Sequence, residues 1–337
     1  GNRHAASGTI AFAATGLERE GKGPLGARLK VTVEPGQTRL VVATTFGTTA
    51  VLTGTGTVGV AGDKLITKAR KLRNEPQVKR ELLDNKLDIV LTVPKHKPAV
   101  YAAVRPWLKD LPGHLAGRIL VGGTIAEPTL SGGVAYAGFQ TLSGEPGRAA
   151  LRLSAPSGSD AKVGATILVG PGDPPPVAIV AKTSRSAALA YVAAKRCGRQ
   201  KKAASEEGRE PPSCAHDAKL EVRAKVDAGA VDLKRLVPKF AIGGRDMRIE
   251  GKLDWDLAGR IVLDASPSPE RGTPLAAEST LSGALRVRDG VVTIPGTRRS
   301  IHAITLRLEH TLQALKLATL SAIESDREKK RRTLSAT

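Results

Sequence analysis

Aromatic side chains are nearly absent from this sequence: two Trp, three Tyr and four Phe make up 3% of 337 residues. Large rings supply much of the apolar area that a thick core buries, so a deep globular interior is not expected. No run of about 18 apolar residues occurs, and no signal-like apolar stretch. The expectation is a soluble chain, or an internal piece whose anchor lies elsewhere. The start at Gly-Asn-Arg-His and the stop in Thr-Leu-Ser-Ala-Thr read as a segment cut from something longer. Catalytic signatures are missing too: there is no His-Glu-x-x-His, no phosphate-binding loop, no Gly-x-Ser-x-Gly and no Cys-x-x-Cys. The six His are scattered, and His302 and His310 fall on strand faces as surface residues rather than ligands. Asp254 and Asp256 share one face but alternate with Arg and Lys along an ordinary strand, not in a substrate cleft. Neither enzymatic activity, nor a metal, nor a cofactor is expected.

What is present is charge, glycine and alternation. Lys and Arg number 52 against 32 Asp and Glu, a net +20. Such a field attracts polyanions, nucleic acid or anionic lipid, and equally describes a solvated sheet face. A nucleic-acid binder would interleave aromatics for base stacking. Those are lacking, so no specific nucleic-acid partner is expected.

The chain is organised around Leu281 to Pro295. Leu281, Leu285 and Val287 alternate with Ser282, Ala284, Arg286 and Arg288, the period of a strand with one apolar face. Asp289-Gly290 reads as a tight hairpin turn, with a second strand carrying Val292 and Ile294. Related phrases recur at Leu115–Gly132 and Leu257–Gly283, and Thr141-Leu142-Ser143-Gly144 repeats the short tetrapeptide.

Taken in order, strands are expected at 8–12, 27–33, 40–46, 50–60 and 87–93, then from 115 onward. Gly54-Thr-Gly-Thr-Val-Gly59 has the spacing of a dinucleotide loop, but Thr and Val fill its gaps and Pro76 interrupts the next segment. It reads as a glycine-relaxed strand. Asp63 to Leu83 reads as a basic amphipathic helix, capping a sheet or meeting an anionic surface. A short turn is expected around Trp107. Ala187 to Ala194 fits helix or strand. Lys195 to His216 reads as a polar loop with Cys197 and Cys214 near its ends. A disulfide there would stabilise by about 3 kcal/mol and imply an oxidising compartment; the alternative is two unrelated thiols. The longest clean amphipathic strand runs from Met247 through Ile249, Gly251, Leu253, Trp255 and Leu257.

The phrases Gly123-Thr-Ile-Ala-Glu-Pro-Thr-Leu-Ser-Gly132 and Leu281-Ser-Gly-Ala-Leu-Arg-Val-Arg-Asp-Gly-Val-Val-Thr-Ile-Pro-Gly296 resemble those of the TamB family, the inner-membrane component of the translocation and assembly module, within the AsmA-like superfamily. The resemblance spans about 115–310. It implies an all-β, elongated and curled, mostly antiparallel sheet that forms an open groove, with at most one or two short helices. The organisation it suggests is an N-terminal β segment over 1–110 and a repeated-hairpin groove over 111–337. It also implies a periplasmic, inner-membrane-anchored protein whose anchor is missing from this chain. Its partners would be phospholipid and an outer-membrane assembly barrel protein. The acyl chains would lie on Leu220, Val222, Met247, Ile249, Leu253, Trp255, Leu285, Val287, Ile304, Leu306 and Leu308. The alternative is that these faces pack on one another as a closed β scaffold.

Overall fold

The computed structural model describes residues 8–19, 22–34, 37–60, 83–102, 106–158, 160–172, 175–208, 210, 213, 218–239, 248–265, 278–293, 299–311, 315–326 and 331–336. The fold is mostly antiparallel β, an open sheet that is not closed into a barrel. Its strands are β1 Gly8–Arg19, β2 Lys22–Val33, β3 Thr38–Phe46, β4 Thr49–Val58, β5 Leu87–His96, β6 His114–Gly123, β7 Pro128–Gln140, β8 Pro146–Ala155, β9 Lys162–Val169, β10 Val177–Ser184, β11 Lys219–Asp232, β12 Arg248–Asp264, β13 Thr280–Thr293, β14 Arg299–Thr311, β15 Leu315–Asp326 and β16 Arg331–Ala336. Strand order follows chain order, so each described pairing joins consecutive strands.

Two compact units divide the chain. The first holds 1–138 with 150–158, the second 139–149 with 159–337. In the first unit, registered neighbours build an apolar row from Phe12 through Leu29, Val42, Gly54, Leu91 and Ile119. Gly54 and Gly56 lie inside β4, so the dinucleotide-like spacing is a strand, as its β-branched residues imply. A Cβ on Gly54 would meet the side chains of Leu91 and Val42, each at 2.6 Å, because both neighbours fill the space above the bare backbone. Two short 3₁₀ turns, Pro98–Tyr101 and Pro106–Asp110, follow β5 and form where the turn around Trp107 is expected. The basic helix expected at 63–83 falls almost wholly outside the described residues.

In the second unit one helix, α1 (Arg185–Glu206, 22 residues), follows β10. It corrects two expectations. The undecided Ala187–Ala194 stretch is helical, and Lys195–Glu206 continues that helix instead of starting a polar loop. Ser184 caps it, its hydroxyl accepting from Ala187 N at 3.2 Å. Ala, Lys, Arg and Gln are strong helix formers, but a segment rich in them carries too little hydrophobic contrast for periodicity to reveal it. Cys197 lies on this helix and is disulfide-bonded; Cys214 lies outside the described residues.

The central stretch is a second correction. Leu281–Thr293 is not a hairpin, because β13 runs unbroken through it, paired with β12 on one side and β14 on the other. Asp289 does take a positive φ of 52°, but as the extra residue of a β-bulge. The third tetrapeptide, Thr141–Gly144, forms a tight turn: Gly144 N donates to Thr141 O at 3.0 Å, and the Thr141 side chain is buried.

Candidate functional site: the apolar face of the second unit

Antiparallel register decides which side chains share a face. Ala228 pairs with Trp255, Trp255 with Leu285, Leu285 with Leu308 and Leu308 with Leu317. The next row joins Val231, Leu253, Val287, Leu306 and Leu320. On the other side of the first, Ile167, Ile179, Val226 and Leu257 are neighbours. Val222 faces Ile261 and Leu220 faces Leu263. With strands about 4.8 Å apart, the seven strands β9–β15 carry these rows over about 29 Å.

The expected groove residues fall into place along these rows. Leu220, Val222, Leu253, Trp255, Leu285, Val287, Leu306 and Leu308 lie on one face and are half-buried. Ile249 pairs with Val292, and Ile304 with Gly290, on the far side of the bulges. Met247 lies outside the described residues. Residues the sequence reading did not include are Ile167 and Ile179 on β9 and β10, Val231 after a bulge, and Ile301 and Val292. For Val231 and Ile301 the signal is an apolar spacing of three where a strand predicts two.

That spacing has a structural cause. Between Ala228 and Val231, β11 places two residues opposite Asp254. Between Val287 and Val291, β13 carries an extra residue, and β14 does the same near Ala303. Ala230, Asp289 and Ala303 take φ of 50°, 52° and 49°. One inserted residue would turn the rest of a strand inside out. Because the bulges align across β11, β13 and β14, and the apolar residues beyond them shift by one, the face stays apolar throughout. Opposite the β13 bulge, Gly251 takes φ +129°, and a Cβ there would meet Arg288 O and Gly290 Cα at 3.0 Å.

The carboxylates of the other face hold this arrangement. Asp254 accepts from Ala230 N at 2.7 Å, and from Arg288 Nε at 3.0 Å and Nη2 at 2.6 Å. Those contacts, the Ala230 bond first, pull its carboxyl below the usual 3.8. Asp256 accepts from Ala284 N at 2.8 Å and Arg286 Nη1 at 3.0 Å. Glu250 is lowered by its hydrogen bonds with Lys234 and Arg248. Each carboxylate is thus tied to a cation.

At one place the apolar face is filled by protein. A single helical turn, Leu233–Leu236, sets Leu236 against Val177, Ala228 and Val231, with Val169 and Trp255 packed alongside. The turn is held from below by Leu142 N to Val237 O and Ser143 N to Lys234 O, both 3.0 Å, and by an Arg235–Glu145 pair at 2.8 Å. Trp255 is therefore part of a small core there. Elsewhere along the rows the described side chains are mostly half-buried, with Val226 and Ala322 buried. No family model matches the chain, and comparison with curated proteins and with solved structures finds no match.

Proposed function

We propose that the chain is a segment of a lipid-conduit protein of the cell envelope, whose apolar sheet face carries phospholipid acyl chains between inner and outer membrane. The observation that carries this reading is the set of apolar rows on β9–β15, mostly half-buried, with Val226, Ala228, Val231 and Ala322 buried. Apolar faces of this extent call for a partner. An acyl chain of about 16 carbons lying along a row, with half of each methylene covered, gains about 0.4 kcal/mol per methylene, roughly 6 kcal/mol in all. No specific hydrogen bond is needed, so the chains can slide. The reading extends to the expectations that came with the TamB resemblance: a periplasmic location, an inner-membrane anchor and an outer-membrane assembly barrel as partner.

The test is native mass spectrometry with lipid extraction on the purified chain beside a Leu253→Arg variant, with circular dichroism to confirm that both fold. Phospholipid that accompanies the wild type and is lost from the folded variant supports the conduit. A lipid-free, well-folded wild type overturns it, and the face then belongs against protein, as in a scaffold of the assembly machinery.

A further inference from the structure

A cavity of about 790 Å³ lies on the charged side of the second unit, opposite the apolar rows, where β10 runs into α1. Register places its cations together. Lys162 pairs with Ser184, Lys182 with Gly164 across β9, and Lys182 with Arg223 across β11. Gly164 leaves room for the Lys182 stem, whose Cγ would lie 3.3 Å from an added Cβ. Lys219 and Lys225 complete a lining of five cationic side chains against two carboxylates, Asp160 and Glu221.

Much of this charge is already matched. Lys219 is paired with Glu278, Lys225 with Asp227 at 3.0 Å, and Arg223 with Glu221 at 3.5 Å. Lys162 and Lys182 have no ion-pair partner among the described residues. The α1 N-terminus adds a positive dipole end with no acidic residue in its first turn. Two of its amides are already engaged, Arg185 N by Ala161 O at 2.9 Å and Ala187 N by Ser184. The lysines, not the amides, therefore supply the attraction. Val180 and Ala187 give the same cavity an apolar wall.

We infer that this cavity binds a small phosphorylated molecule, its phosphoryl group between Lys162 and Lys182 and its organic part against the Val180 wall. A phosphomonoester carries close to two negative charges and three acceptor oxygens at neutral pH, which suits two unpaired ammonium groups. The volume exceeds what inorganic phosphate fills, so an organic body is part of the ligand. The site stands apart from the acyl-chain face, and either reading can fail without the other.

The experiment is isothermal titration of the whole chain with phenyl phosphate, beside flotation with phosphatidylcholine vesicles containing phosphatidic acid. Both are repeated with Lys162→Gln/Lys182→Gln and with a charge-matched control, Lys95→Gln/Lys109→Gln, at exposed positions of the first unit. Loss of both charge-assisted hydrogen bonds should weaken phenyl phosphate about tenfold or more, while the control stays within about twofold. Vesicle capture that depends on the same two lysines identifies the source as a lipid headgroup. Phenyl phosphate binding without vesicle capture identifies a soluble phosphorylated molecule. Absence of both, or equal losses in the two variants, overturns the inference.

Discussion

Replacing Asp254 should loosen the bulge that keeps the apolar face in register. The carboxylate accepts the Ala230 N–H at 2.7 Å, and Ala230 is one of three non-glycine residues held at positive φ among the described residues. A charged hydrogen bond to this exposed backbone amide contributes about 1.5–2 kcal/mol, the low end for such bonds. The Arg288 pair adds under about 1 kcal/mol, since the guanidinium is 56% exposed. Asp254→Ala should therefore cost about 2–3 kcal/mol, and Asp254→Asn, which keeps a carbonyl for Ala230, about 1 kcal/mol. Asp227→Ala, which removes an exposed pair with Lys225, should cost under about 0.5 kcal/mol. Urea unfolding by tryptophan fluorescence in a Trp107→Phe background reads these values at Trp255, the neighbour of Asp254. The pH dependence supplies a second check. The folded carboxyl lies below 3.8, so its contribution is present above that value and is lost as pH falls through the folded one. The gap between wild type and Asp254→Asn should hold at pH 7 and close in acid. An Asp254→Ala loss no larger than that of Asp227→Ala, or a gap that persists in acid, would refute the latch.

Three further outcomes are expected. Gly251→Ala forces a side chain into φ +129° against Arg288 O and Gly290 Cα, and should cost about 1–3 kcal/mol in the same urea assay. Leu236→Ala uncovers the Val177–Ala228–Val231 cluster. The expected loss is about 2 kcal/mol, with a rise in acrylamide quenching of Trp255 that a distant destabilising change would not produce under native conditions. Ser184→Ala removes the α1 cap and should cost that helix about 1 kcal/mol, seen as faster amide exchange over 185–195 with the β12–β13 amides unchanged.

The sheet was readable because alternation is a strong signal where one face is apolar. Leu220 to Val226 and Leu253 to Leu257 each place apolar residues every second position, and the structure pairs them as neighbours on one face. Helix α1 was less readable. Its alanines and lysines favour helix intrinsically, yet Leu189 and Val192 are 54% and 62% exposed, so its apolar residues do not mark a buried stripe.

The bulges explain why the organising stretch misled. Asp289-Gly290 has the chemistry of a hairpin turn, because both a tight turn and a bulge need a residue that tolerates positive φ. Local sequence cannot separate the two; the partner strands can. A turn would end β13 at Arg288 and leave β14 without neighbours for Ile301 and Ile304. As a bulge, the same residues let Val287 meet Leu306, Gly290 meet Ile304 and Val292 meet Ile301. The deciding evidence in the sequence lies in β14, where Ile301 and Ile304 are spaced by three instead of two. A matching slip occurs in β11 between Ala228 and Val231. Coincident slips in neighbouring strands are what a continuous apolar face requires once one strand carries an extra residue. That continuity, more than any single side chain, is what the proposed acyl-chain role requires of the face.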